Sequence, residues 1–217
     1  MTIEINAFPP SPRAFRVMAL ANHLDLDWTL RTLDLVKGEQ KTPEYAALNP
    51  NMRMPTLKDG DYVLWESGAI LQYLAGKKPQ SGLMLTDETG RLNVTRWQFW
   101  DACHWDQACA IYLFENFVKP VIVKSGEPDQ AALAKGAELF HRAAKVLDHH
   151  LKRNKFVAGD RLTVADFSIG APLNYAQAAR IPIDSYPEIT RWYATLRALP
   201  AWQKTLAQSG MSAAAAA

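Results

Sequence analysis

Cysteine is nearly absent from this chain: Cys103 and Cys109 are the only two in 217 residues. They are too few and too close for a disulfide framework and form no Cys-x-x-Cys pair. Neither sign of charge is in real excess, because 24 basic and 22 acidic residues leave +2. That balance argues against nucleic acid or a membrane surface as partner. No uncharged apolar run approaches the ~18 residues that a membrane span needs. Residues Met1 to Asn6 lack the basic and apolar regions of an export signal. A reducing cytoplasm is the expected compartment. Cys103, His104 and Asp106 lie close in sequence, but their spacing puts them on different helix faces. Metal ligands must converge, so no metal is assigned. No internal repeat is visible.

What is present is apolar and aromatic. Hydrophobic residues make up 48% of the chain, with seven Trp and eight Phe, enough for one good core or two small ones sharing an interface. Ile3 to Phe8 alternates as a strand does, and Pro9-Pro10-Ser11-Pro12 stops it. A helix begins at Phe15 to Leu20 and runs to about His23 or Leu24. Trp28 to Leu35 reads as a second, parallel-capable strand, completing a β-α-β unit. Lys37 to Leu48 is polar and irregular, with a short helical turn at Thr42-Pro43-Glu44. Thr56 to Lys58 and Tyr62 to Leu64 flank Asp59-Gly60-Asp61 as a hairpin. Glu66-Ser67 then opens an apolar helix reaching Leu74.

Gly76 to Gly82 is a linker by composition, and strand signals disappear beyond it. Helical periodicity marks Thr89 to about Phe117, Asp129 to Arg153, Val164 to Ala178, and Pro187 to Leu199. The expected class is α+β. A β-α-β-α-β-β-α domain of thioredoxin-like order covers residues 1–79, a linker 80–88, and an all-helical domain 89–217. Thr163 as N-cap and Asp166 at N3 form a short capping box, read as structural. Ala213 to Ala217 packs nothing obvious and is expected to fray.

Two features between Asn49 and Ser67 suggest binding. Met54 before Pro55 is pushed toward extended angles, and a cis bond there would turn the Met54 N–H and C=O outward to pair with an extended peptide. The alternative is an ordinary trans turn. Glu66-Ser67 opens a helix whose free N–H groups and dipole attract a carboxylate, or it is simple capping. Together they suit a small γ- or α-peptide.

The order and spacing of these residues resemble the thiol-binding half of a glutathione transferase, and the resemblance extends over essentially the whole chain. It implies that Met54 and Pro55 meet the cysteinyl backbone of glutathione and that Glu66 and Ser67 hold its γ-glutamyl end. Ser11, just beyond the first strand, has the placement of the activating serine in serine-type, phi- or theta-like classes. A hydrogen bond to a charged partner contributes roughly 1.5–3 kcal/mol, or about 1–2 pKa units on the thiol. The first helix adds its positive end in the same sense. Otherwise Ser11 is a turn residue between prolines, and Arg13 is a competing source of charge for the thiolate.

In the same resemblance Gln40, Lys41 and Arg53 are candidates for the glycine carboxylate, with solvated surface charge as the alternative. The aromatic helix after the linker is expected to line an electrophile pocket, with Trp105, Cys109 or Phe114 near the ligand. Asp101 either meets the γ-glutamyl amine across a dimer or caps a surface. The implied activity is conjugation of glutathione, the co-substrate, to a small hydrophobic electrophile by a detoxifying homodimer. Glutathione-dependent reduction of disulfides or peroxides, and a non-catalytic glutathione-binding module, stand as alternatives.

Overall fold

The structure, a computed structural model, describes residues 2–210; the expectation for Ala213 to Ala217 lies outside them. Strand β1 (Ile3–Ala7) is almost wholly buried and sits inside a four-stranded sheet of order β2-β1-β3-β4. It pairs in parallel with β2 (Trp28–Thr32), from Ile3 with Trp28 to Ala7 with Thr32. It pairs antiparallel with β3 (Thr56–Asp59), Asn6 facing Thr56, and β3 pairs antiparallel with β4 (Tyr62–Trp65), Thr56 facing Trp65. The hairpin turns through Gly60 and Asp61, with Gly60 at φ 62°, a left-handed angle that glycine adopts without steric cost. β2 ends three residues before the expected Leu35. There Asp34 Oδ1 accepts the N–H groups of Val36 and Lys37, both at 3.0 Å, and bends the chain away from the ladder.

Helix α1 (Pro12–His23) buries an unbroken run from Ala14 to Ala21. That run, Arg16 included, goes round the whole helix, so α1 must be covered on every side, and it packs against α3 (Ser67–Lys77) and, from the other domain, α7 (Val164–Gly170) and α9 (Pro200–Gln208). The short α2 (Pro43–Leu48) starts at Thr42, whose hydroxyl accepts the Tyr45 N–H. The observed order is the thioredoxin-like β-α-β-α-β-β-α followed by helices alone. Pro79–Ser81 forms one 3-10 turn, and α4 begins at Glu88 behind the Asp87 cap.

The first helical-domain element is longer than its periodicity suggests. From α4 (Glu88–Trp100) the chain passes through π-helical turns at Asp101–Trp105 into α5 (Asp106–Leu113), then through further π-helical turns to Val123, past Pro120. In the first π segment the Asp106 N–H reaches the Asp101 carbonyl, five residues back. That wider turn brings Asp101 and Asp106 onto one face, where an α-helix would separate them. α6 (Gln130–Leu151) and α8 (Pro187–Arg197) complete the bundle. The capping box at Thr163 forms. Its Asp166 accepts from Thr163 N at 2.8 Å, Thr163 Oγ1 at 3.1 Å, Val157 N at 2.9 Å and Trp192 Nε1 at 2.8 Å. α7 is shorter than expected and gives way to a 3-10 turn at Ala171–Tyr175. α9 was not anticipated, although Pro200 at its start and Trp202, Thr205 and Leu206 on one face are helix signals.

Candidate functional site

Strand register brings the candidate residues to one end of the sheet. The C-terminal ends of β1, β2 and β4 lie beside the start of β3. The chain therefore leaves β1 into Ser11, leaves β2 toward Gln40 and Lys41, enters β3 from Met54-Pro55, and leaves β4 into Glu66-Ser67.

Ser11 is the N-cap residue of α1, yet its hydroxyl makes no capping bond. Its carbonyl accepts the Phe15 N–H at 2.8 Å, and Pro12 has no N–H. The Arg13 and Ala14 N–H groups are thus left without intrahelical partners beside a free hydroxyl. The Arg13 guanidinium, the competing source of charge, is engaged by Asp106 and remains partly exposed. Arg16, 4% exposed, donates to Asp101 at 2.7 Å, Asp106 at 3.1 Å and Ser168 Oγ at 3.2 Å. Asp101 therefore neither reaches a dimer partner nor caps a surface. The π-helical turn directs it inward, where it also accepts from Ser168 Oγ at 2.8 Å. Burial pushes its carboxyl up and the Arg16 charge opposes that shift.

The start of α3 is the second uncapped end. Glu66 has φ 70° and ψ 112° and makes no side-chain cap, a backbone geometry costing about 1–3 kcal/mol in a non-glycine residue. Its carbonyl accepts the Ile70 N–H at 2.9 Å, so the N–H groups of Ser67, Gly68 and Ala69 lack intrahelical partners. Glu66 is exposed and Ser67 is buried. Gln98 of α4 donates to the Gly68 carbonyl at 3.1 Å and accepts from Gln72 at 2.6 Å, holding the turn from the other domain.

Between these ends the Met54–Pro55 peptide is cis. Among the described residues neither the N–H nor the C=O of Met54 is hydrogen-bonded. Its neighbours are pinned: the Arg53 carbonyl accepts from Tyr45 Oη at 2.8 Å and Asn49 Nδ2 at 2.7 Å, and Thr56 Oγ1 lies 2.9 Å from Tyr45 Oη. The roles of Tyr45 and Asn49 carry no local sequence signal, because they depend on a helix folding back over its own loop. The side chains of Arg53 and Lys41 are exposed, and the Gln40 Oε1 is buried without a partner among the described residues.

The helical-domain expectations need correction. Trp105 is fully buried, donates to the Ile169 carbonyl at 2.9 Å and packs against Trp100 and Phe140. Cys109 is also a core residue, its thiol pushed well up by burial and by Asp106 and Asp101, so it does not line a pocket. Both face the core of the helical domain. Phe114 is half-exposed, and three residues on Phe117 packs against Tyr175 with ring centres 5.5 Å apart. The Tyr175 hydroxyl donates to the Pro10 carbonyl, next to Ser11. Phe117 and Tyr175 were missed, and only Phe117, in the aromatic stripe, gave a signal. Among the described residues no three His, Cys, Asp or Glu side chains gather as a metal site.

Residues 1–76 match the family model for the glutathione S-transferase N-terminal domain, and residues 106–200 match that for the C-terminal domain. The chain belongs to the glutathione S-transferase family. It is 35% identical over 212 residues to maize (Zea mays) glutathione S-transferase 3, covering 94% of this chain and 93% of that protein. Its fold is similar to apo glutathione S-transferase III, with TM-score 0.84 and 33% identity over 95% of this chain and 96% of the other. A glutathione transferase family member from Pseudomonas fluorescens, solved with two glutathione molecules bound, has TM-score 0.84 and 25% identity over 94% and 92% of the two chains. In this transferase the candidate residues sit on the first domain, at the end of the sheet where Tyr175 and Gln98 of the helical domain reach the Pro10 and Gly68 carbonyls.

Proposed function

We propose that the protein conjugates glutathione to a small hydrophobic electrophile, with Ser11 stabilising the glutathione thiolate. The observation that carries this reading is the pair of uncapped helix ends, α1 at Ser11 and α3 at Glu66, flanking the unpaired backbone of Met54. Glutathione spans such a site as an added strand. Its cysteinyl N–H and C=O pair with Met54, its γ-glutamyl carboxylate meets the N–H groups at Ser67, and Glu66 takes the γ-glutamyl amine. Its glycine carboxylate lies toward Gln40, Lys41 and Arg53. The sulfur then faces the Ser11 hydroxyl, which donates to it.

A free thiol has a pKa near ~8.5 and is mostly protonated at neutral pH. One charge-assisted hydrogen bond, worth roughly 1.5–3 kcal/mol, lowers that by about 1–2 units and makes thiolate a major species. The thiolate attacks an electrophilic carbon. A C–S bond forms, the displaced electron pair leaves with the departing group or moves onto an adjacent acceptor, and the thiol proton goes to solvent. No protein base is required. Phe114, Phe117 and the ring of Tyr175 offer an apolar wall for the electrophile beside Ser11.

A cytoplasmic homodimer with a detoxifying role belongs to the same reading. Leu92 and Phe99 on α4 are 57% and 67% exposed and seven residues apart on one helix face, a stripe suited to a second copy. No helix among the described residues is long and apolar enough to cross a membrane. Reduction of disulfides or peroxides uses the same thiolate, but the relatives carry transferase names, which favours conjugation. The test is to measure conjugation of a small aryl halide and reduction of a glutathione mixed disulfide for the protein and for Ser11→Ala. Conjugation is expected to dominate in the parent. The variant is expected to lose roughly 10–100-fold in kcat/KM at neutral pH with KM for glutathione little changed. An unchanged bound-thiol pKa in Ser11→Ala would show that Ser11 does not hold the sulfur.

A further inference from the structure

The turn that presents Ser11 is poor in hydrogen-bond donors. Pro9, Pro10 and Pro12 have no N–H, so between Phe8 and Pro12 only Ser11 can donate from the backbone. That N–H goes to the Phe8 carbonyl at 2.9 Å, and the Ser11 carbonyl accepts from Phe15 at 2.8 Å. The remaining polar atom that orients Ser11 is the Pro10 carbonyl. It lies in the same peptide plane as the Ser11 N–H, and its partner comes from the helical domain, 165 residues away: the hydroxyl of Tyr175.

We propose that Tyr175 is a positioning residue for Ser11, fixing the Pro10–Ser11 peptide plane and thereby the direction of the serine hydroxyl. This rests on the reading of Ser11 given above. With Phe8 on the N–H side and Tyr175 on the C=O side, the plane is held at both edges. Rotation of that plane would swing the Ser11 Cα–Cβ bond and carry the hydroxyl off the sulfur.

Tyr175 is built to hold still. It is 6% exposed, and its ring packs against Phe117. Its carbonyl accepts the Ala179 N–H at 2.8 Å. The preceding residue, Asn174, accepts from Tyr193 Oη at 2.8 Å and Trp202 Nε1 at 3.0 Å. Burial pushes the Tyr175 hydroxyl up to about 12, so it remains a protonated donor wherever the enzyme works. The anchor is therefore independent of pH, while the serine it aims acts on a group that is not.

The experiment compares the parent, Tyr175→Phe, Ser11→Ala and the double variant. Tyr175→Phe removes one hydroxyl and keeps the ring, and a cooperative thermal melt verifies that it is folded. The readouts are the bound-glutathione thiol pKa, from the ultraviolet absorbance of the thiolate against pH, and kcat and KM with a small aryl halide. Tyr175→Phe is expected to raise the bound-thiol pKa by about half a unit or more. It is expected to lower kcat near neutral pH roughly five- to tenfold, with KM for glutathione within about twofold, because the tripeptide's other contacts lie on the first domain. In the Ser11→Ala background the same substitution should leave the thiol pKa where Ser11→Ala alone puts it. A parent-like pKa and pH profile in Tyr175→Phe, with a raised pKa in Ser11→Ala, would overturn the proposal while sparing the role of Ser11. So would an equal further rise in the double variant, which would mean that Tyr175 acts without the serine. If Ser11→Ala itself leaves the pKa unchanged, the role of Ser11 fails first and this inference falls with it.

Discussion

Thr42, Asp87 and Asp129 each accept backbone N–H bonds at the start of their helices, and a capping box closes the start of α7 at Thr163. Ser11 and Glu66 occupy the same place on α1 and α3 and cap nothing. Ser is among the preferred capping residues, so residue type does not explain the open end at Ser11. Position does. The capped ends are finished within the protein. α8 follows the same rule through Asp148, which accepts the Glu188 N–H at 2.9 Å, and in α9 the Trp202 N–H turns back to the Leu199 carbonyl at 2.9 Å. The open ends of α1 and α3 share one end of the sheet, where Met54 also leaves its backbone unpaired. These are donors that a fold would normally satisfy, and the proposed function assigns them to glutathione. The local structure around them is supported from elsewhere, by Tyr175, Asp106 and Gln98.

The largest effect is expected at the buried charges that support the open end of α1. Asp101→Ala leaves Arg16 buried beside Asp106 alone. It is expected to destabilise the protein by about 3–5 kcal/mol in urea unfolding; a loss below about 1 kcal/mol would mean that the network is incidental.

At the closed end, Asp166 gives a pH test. Burial pushes its carboxyl up to about 6, and the hydrogen bonds from Val157, Trp192 and Thr163 pull in the other direction. The folded protein then holds this proton more tightly than the unfolded chain. The contribution is fully present below about pH 4 and is lost as pH rises through about 6, amounting to about 3 kcal/mol. Urea stability measured from pH 4 to pH 7 should show this slope in the parent and not in Asp166→Asn. Parallel curves would contradict it.

At the open start of α3, Glu66→Gly is expected to act in the opposite direction. Glycine adopts φ 70° freely, which relieves about 1–3 kcal/mol of backbone strain but adds about 0.4–1 kcal/mol of unfolded-chain entropy. The net expectation is a gain of about 1 kcal/mol in stability with a severalfold rise in KM for glutathione. A stability loss would show that the Glu66 conformation is not strained. The smallest effect is expected at a purely structural cap. Asp87→Ala should cost about 1 kcal/mol in thermal or urea unfolding and leave KM for glutathione unchanged.

The thioredoxin-like order was legible because strand alternation, the Asp59-Gly60-Asp61 turn and the proline stop at Pro9 are local signals. The site was legible where it is built from backbone: Met54-Pro55 and Glu66-Ser67 announce themselves through one proline and one helix start. What was not legible depends on tertiary folding. Whether Trp105 faces a pocket or the core is decided by where the rod turns π-helical, and no residue in Asp101 to Trp105 signals that. Asp101 was open between a dimer contact and a surface cap because its partner, Arg16, is 85 residues away. Tyr175 lay in a segment read as helix and gave no sign of reaching Pro10. α9 is too short for its periodicity to stand out, although Pro200 and the spacing of Trp202, Thr205 and Leu206 mark it.

A crystal structure of the protein grown with glutathione measures the use of the open helix ends most directly. The γ-glutamyl carboxylate should lie on the N–H groups at Ser67 and Gly68, the cysteinyl backbone against Met54, and the sulfur within hydrogen-bond distance of Ser11 Oγ, with Tyr175 still bonded to the Pro10 carbonyl. Glutathione bound away from the start of α3, or a sulfur turned from Ser11 toward Arg13, would contradict it.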